Sequence, residues 1–226
     1  MNKEVRAFNF EARAEENEQH GTFITGTPIV FEKETDLGWC GEKIARGALD
    51  GTDLKDVRFL VGHNTSMIPL ARSRNNNENS TMQMTGGEDG MAIRVDLDTE
   101  NNADARSLYS AVSRGDISGM SFMFTVDKDA WEDLESEQPL RRITSIQRVF
   151  EVSAVCFPAY EGTDIQAASE GNAPEGARAS LESARKQLEE DRAAQAEQER
   201  RTAVLDWLDK YLGPDEGSGK EEESDV

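Results

Sequence analysis

The sequence is poor in the residues that build metal sites and disulfide frameworks, with two cysteines and two histidines among 226 residues. Cys40 and Cys156 cannot by themselves form a disulfide framework or a zinc site, so reduced thiols in a cytosolic compartment are expected. His20 and His63 form no helical His-x-x-x-His pair and there is no Cys-x-x-Cys, which argues against zinc. There is no G-x-x-x-x-G-K-[ST] phosphate loop, and Gly86-Gly87 is followed by Glu88 and Asp89, which would repel phosphate. No cofactor is needed for the chemistry considered below. No segment approaches the ~20 apolar residues that cross a bilayer. The N-terminus, MNKEVRAFNFEARAEE, lacks the apolar stretch of a signal peptide, so a soluble protein made inside a cell is expected. Basic residues are also short, 25 against 45 acidic, for a net charge of −20. That balance argues against nucleic acid, which is held through Lys and Arg, and against anionic membranes, and it suits a basic partner.

Apolar residues make up 36% of the chain, too few for a core throughout. They concentrate in residues 1–165. Residues 166–226 contain no Phe and draw their apolar content mostly from Ala; residues 167–226 hold 16 acidic and 8 basic residues. Three regions are therefore expected: a domain over 1–165, a linker over 166–177 (QAASEGNAPEGA), and an acidic helical tail over 178–226, disordered at its end. The tail shares no bulky apolar pattern with the domain and should be dispensable for it. Within the tail, Leu181, Ala184 and Leu188 share one helical face, Glu182 sits four residues before Lys186, and Val204, Leu205, Leu208 and Leu212 form a second apolar cluster before Gly213-Pro214.

The first region reads mainly as strands: residues 5–10, 21–31 with a bulge or bend at Gly26 and Pro28, 57–62, 91–97, 117–126 and 142–157. Residues 103–114 read as a helix stopped by Gly115. Short strands with few helices predict an α+β, mainly β fold, a closed or partly closed barrel flanked by a few helices.

Four residues stand out chemically. His63 follows the apolar run Phe59-Leu60-Val61, and a ring at a strand end can be held firmly while it faces a cleft, which suits a general base. From position alone, a hydrogen-bonded turn histidine is the plainer alternative. His20, in EENEQHG, reads as a solvated loop residue. In Asp116-Ile-Ser-Gly-Met-Ser-Phe-Met-Phe124, strand alternation puts Ser118 on the face of Met120, Phe122 and Phe124, and puts Ser121 on the other face beside Gly119. Ser121 is thus the better nucleophile and Ser118 the fallback, with an ordinary strand serine as the alternative. Glu151 interrupts the apolar strand Val149-Phe150-Glu151-Val152, where a carboxylate is costly without a partner unless it faces solvent. Cys156 has no adjacent base and reads as a small buried residue.

Order and surroundings add more. The series Gly38-x-x-x-Glu42-x-Ile44-x-x-Gly47-Ala48-Leu49, Val61-Gly62-His63-Asn64, Arg114-Gly115-Asp116-Ile117-Ser118-Gly119-Met120-Ser121-Phe122-x-Phe124 and Glu151-Val152-Ser153-x-Val155-x-Phe157-Pro158-Ala159-Tyr160 resembles the prohead protease family of tailed bacteriophages, over about residues 5–165. The resemblance implies a serine endopeptidase with a barrel similar to that of the herpesvirus assemblins, and no cofactor. By motif position, His63 matches the family histidine, Ser121 its serine and Glu151 the acid of the Glu-Val-Ser block. It further implies major capsid protein and scaffold as protein substrates, self-cleavage, possible self-association, and a place in the cytoplasm of the infected host, inside the prohead. The family often has Phe-Gly-Phe where this chain has Phe122-Met123-Phe124, which could narrow the local cleft. A non-catalytic scaffolding protein of the capsid is the alternative, which the acidic helical tail would suit.

Overall fold

The computed structural model describes residues 3–8, 12–17, 21–156 and 174–212. Its strands are β1 (Glu4–Phe8), β2 (Arg13–Asn17), β3 (Gly21–Val30), β4 (Thr35–Asp36), β5 (Gly41–Ile44), β6 (Asp56–Val61), β7 (Ala71–Arg74), β8 (Met82–Gly86), β9 (Gly90–Asp96), β10 (Gly119–Glu132) and β11 (Leu140–Val155). The helices are α1 (Ala103–Ser113) and α2 (Glu175–Leu212). The class is α+β, mainly β. The described strands form two sheets. One has seven strands in the order β1-β10-β11-β5-β4, with β6 paired to β11 and β7 to β6; the other has the order β2-β3-β9-β8. Neither hydrogen-bonded path closes on itself, so among the described residues the expected barrel is represented by two open ladders.

β11 organises the larger sheet. The antiparallel β10 lies along one edge of it from Gly119↔Val155 to Glu132↔Leu140. On its other edge β5 and β6 both run parallel to it, β5 against residues 140–143 and β6 against residues 151–154. Aromatic and branched side chains favour such strands because they pack well on a pleated surface. Phe122 and Phe124 of β10 are fully buried and stack at 4.5 Å between ring centroids. The second sheet meets them through Met120: a Cβ at Gly26 would stand 2.5 Å from the Met120 thioether, so glycine there admits the close approach of β3 to β10. A break in register between Gly26 and Ile29 marks the bulge expected at this point.

The helix expected at 103–114 is α1. Asn102 caps it by accepting from the amides of Asp104 and Ala105, its face of Ala105, Leu108 and Val112 is buried, and Gly115 follows at φ +78°.

The chain divides into two compact units, Met1–Leu181 and Glu182–Val226. This bears on the expected boundaries. Residues 166–173 of the linker lie outside the described residues, but α2 already starts at Glu175 and the Arg178 amide bonds to the Pro174 carbonyl at 3.0 Å. The last residues expected in the linker are thus helical. Ala177 and Leu181 are buried with Trp39 and Cys40 in a small cluster that also touches Trp131. Ser180 adds hydrogen bonds, accepting from Trp131 Nε1 at 3.0 Å and donating to Asp129. The first turns of α2 thus pack within the first unit, beyond the boundary expected at residue 165. Within the second unit, Val204, Leu205, Trp207, Leu208 and Tyr211 are exposed, with Trp207 and Tyr211 5.3 Å apart.

Candidate active site

β6 delivers His63. Its ladder to β11 continues one bond beyond the strand, from the Gly62 amide to the Ala154 carbonyl at 2.9 Å. The backbone then turns out of the sheet, with Gly62 at φ +60° and His63 at φ +58°. Glycine adopts that conformation freely; a residue with a Cβ does so at a cost. The turn brings the imidazole over the face of β10 and β11 that carries Ser121 and Glu151.

Ser121 lies opposite Ser153 in the β10–β11 ladder, and Glu151 precedes Ser153 by two residues, so their side chains share one face. His63 Nε2 is 2.6 Å from Ser121 Oγ, and His63 Nδ1 is 2.6 Å from Glu151 Oε1. An ionised carboxylate only accepts, so Nδ1 carries its proton toward Glu151 and Nε2 faces the hydroxyl. The other carboxylate oxygen, Oε2, accepts from Ser153 Oγ at 2.5 Å, and Ser153 Oγ in turn accepts from the His63 amide at 3.1 Å. Glu151 is buried and fully partnered, which removes the solvent-facing alternative for it. Both ring nitrogens of His63 are likewise engaged.

The fourth side of the group is β1. It pairs antiparallel with β10 so that Ala7 stands opposite Ser121, and the Ser121 hydroxyl donates to the Arg6 carbonyl at 2.8 Å. A hydroxyl has one proton, so it serves either that carbonyl or His63 Nε2 at any moment. Ser121 is 0% exposed, while the His63 side chain retains 22%.

β1 is anchored by a buried ionic cluster. Arg6 bonds to both oxygens of Glu42, one of them at 2.7 Å, and to Glu4 at 2.7 Å; Arg141 bonds to Glu4 at 2.8 Å, Glu42 at 3.0 Å and Asp129 at 2.7 Å. Burial alone would raise the Glu4 pKa, but the Arg141 hydrogen bond and the charges of Arg6 and Arg141 outweigh it and hold the carboxyl below its ordinary value. Burial, reinforced by Glu42, pushes the nearby Cys40 thiol up to about 12.

Several sequence expectations change here. Ser118 was placed on a buried strand face. It instead lies one residue ahead of β10 and is exposed, because the alternation starts only at Gly119. Cys156 was expected to be buried and is exposed, because β11 ends at Val155. His20 and the Phe157-Pro158-Ala159-Tyr160 block lie outside the described residues. Among the described residues no group of three or more His, Cys, Asp or Glu could hold a metal ion.

A family model for the caudovirus prohead serine protease matches residues 8–175. The chain belongs to that family. A comparison with curated proteins found no match. Among solved structures, the bacteriophage T4 capsid assembly protease is similar at 12% identity, over 69% of this chain and 99% of that one, with a TM-score of 0.35. At that score the likeness carries no argument, and the family model alone decides the assignment.

Two contacts of the candidate site in this prohead protease family member were not anticipated, the Ser153 hydroxyl and the Arg6 carbonyl. Ser153 could have been found by alternation, as the next residue on the face of Glu151. The Arg6 carbonyl depends on a pairing between residues 115 positions apart, which carries no local signal.

Proposed function

We propose that this chain is a serine endopeptidase of phage prohead maturation that cleaves scaffold, capsid protein or both, and itself, with Ser121 as nucleophile, His63 as base and Glu151 as the orienting acid. The observation that carries the reading is the pair of 2.6 Å contacts that link one imidazole to Ser121 on one side and Glu151 on the other. With Nδ1–H directed to the carboxylate, Nε2 accepts the Ser121 proton as the hydroxyl attacks a peptide carbonyl. Nε2 then returns that proton to the leaving amine, and water releases the acyl group by the same route. Glu151 stabilises the imidazolium formed in each half. A peptide reaches Ser121 only when β1 parts from β10 near Ala7, since the hydroxyl is otherwise covered. The accompanying fold reading is an assemblin-like, partly closed barrel, supported by the contact of the two sheets at Gly26 and Met120. The acidic segment after the first unit, within the region expected as 178–226, would associate with scaffold or the inner capsid surface and hold the enzyme inside the prohead in the host cytoplasm. Self-cleavage near 166–177 would release it.

A second reading, a non-catalytic assembly protein, is favoured by one observation: Ser121 is fully buried. Co-expression with the phage's own major capsid protein separates the two. Capsid protein shortened with wild type and intact with Ser121→Ala supports the peptidase; intact capsid protein in both supports the assembly protein.

A further inference from the structure

We propose that Ser153 is a positioning residue for the same chemistry, holding both the backbone of the base and the carboxylate that orients it. The inference rests on the serine peptidase reading and adds a fourth side chain to it. Ser153 lies on β11 with its hydroxyl bonded to the His63 amide and to the Glu151 carboxylate, so its role is exerted through those two partners.

The two partners are the relevant pair. The His63 amide has left the β6–β11 ladder, since the last ladder bond is that of Gly62, and in the left-handed conformation at φ +58° it has no strand partner. Ser153 Oγ accepts from it at 3.1 Å. The same oxygen has one proton, which goes to Glu151 Oε2 at 2.5 Å. One hydroxyl thus fixes where the imidazole is attached and how the carboxylate facing it is rotated. Glu151 Oε1 is then left in line with Nδ1–H, which sets the tautomer with Nε2 free toward Ser121. By analogy with the outer-shell partners of metal-bound histidines, whose loss costs about 10- to 100-fold in affinity or activity, removal of this hydroxyl should cost about as much.

Ser153→Ala frees the left-handed turn and the carboxylate together. The ring then samples orientations in which Nε2 misses Ser121. Binding of substrate is not touched, so the loss falls on kcat and leaves KM unchanged.

The test uses the full chain. The sequence has two histidines, so ring protons are assigned by comparison with His20→Gln. Wild type should show a far-downfield proton resonance for His63 Nδ1–H, and Ser153→Ala should lose it or move it upfield. In hydrolysis of a p-nitrophenyl ester, Ser153→Ala should lower kcat by about 10- to 100-fold at unchanged KM. Ser153→Thr, which keeps the hydroxyl, should restore the resonance and most of the rate. Ser153→Cys, nearly isosteric but a weak donor, reports the same loss if the alanine variant does not fold. An unchanged resonance with wild-type kcat overturns the proposal, as does a loss confined to KM. A wild type without hydrolytic activity whose ring resonance nonetheless depends on the Ser153 hydroxyl would sink the peptidase reading and leave the positioning role standing.

Discussion

Arg6 and Ser121 are joined by a hydrogen bond of 2.8 Å from hydroxyl to main-chain carbonyl, so the strand that covers the candidate nucleophile also engages its proton. Access to Ser121 should therefore be limited by the opening of β1. Arg6→Ala removes the anchor of β1 on Glu42 and leaves buried acids undercompensated, at a cost of about 3–5 kcal/mol in stability. Labelling of Ser121 by a serine-directed phosphonate, followed by mass spectrometry, should be slow in wild type and faster in Arg6→Ala. Equal rates would show that β1 does not gate the site.

Ser121→Ala and His63→Ala should each lower proteolysis by several orders of magnitude, because such groups act as a unit. Ser118→Ala should leave the rate unchanged, since Ser118 is exposed and precedes β10. Processing of capsid protein on a gel reads all three. Loss of activity in Ser118→Ala alone would reassign the nucleophile.

Leu181→Ala should destabilise the first unit by about 2–5 kcal/mol, the usual range for emptying a buried leucine site. Leu181 is 1% exposed against Trp39. A chain ending at residue 165 should fare worse, because Ala177 and the Ser180 hydrogen bonds go as well, whereas one ending near residue 190 should match the full chain. Urea midpoints from tryptophan fluorescence measure this, and equal midpoints for all lengths would refute it.

Stability should fall in acid through Glu4. Its folded pKa lies below the ordinary value of 4.5, so its contribution is complete above that value and disappears as pH drops through the lower folded one. Urea midpoints of wild type should hold steady from neutral pH to about 4.5 and then decline. Glu4→Gln should be weaker at neutral pH and should lose less over the acid range. A steeper decline in Glu4→Gln would contradict the sign of the shift.

The two thiols should separate cleanly. Cys40 is buried with its pKa pushed up to about 12, and Cys156 is exposed. A disulfide reagent at pH 8 should modify Cys156 rapidly and Cys40 only after unfolding. Rapid modification of both would mean that the Trp39 cluster opens readily.

The parts of this molecule visible in the sequence are those with local causes. The β10 and β11 runs announce themselves by aromatic and branched residues, and α1 by its period and Gly115. Residues of the site were legible where they break a local pattern, His63 at a strand end and Glu151 inside an apolar run. What escaped depends on partners remote in the chain. β5 and β7 read as polar because Glu42, Arg72 and Arg74 occupy them, and burial of Glu42 makes sense only once Arg6 and Arg141 arrive from β1 and β11. Ser118 and Cys156 were misplaced for a smaller reason: alternation fixes faces within a strand but not where the strand begins and ends. The start of α2 was hidden similarly, because QAASEGNAPEGA reads as linker by composition while Pro174 and Ala177 already serve the helix and its packing.

The arrangement of β10, β11 and β6 also orders events in time. Ser121 and Glu151 sit on the two arms of one antiparallel hairpin, whose pairing is local in the chain and can form early during folding. His63 is 88 residues from Glu151 and joins only when β6 docks in parallel along β11, a closure with a larger entropic cost. A chain caught before that docking holds the hydroxyl and the carboxylate without the ring between them. Partly folded molecules would therefore lack the proposed base, and competence would arrive only once the long-range docking of β6 is made.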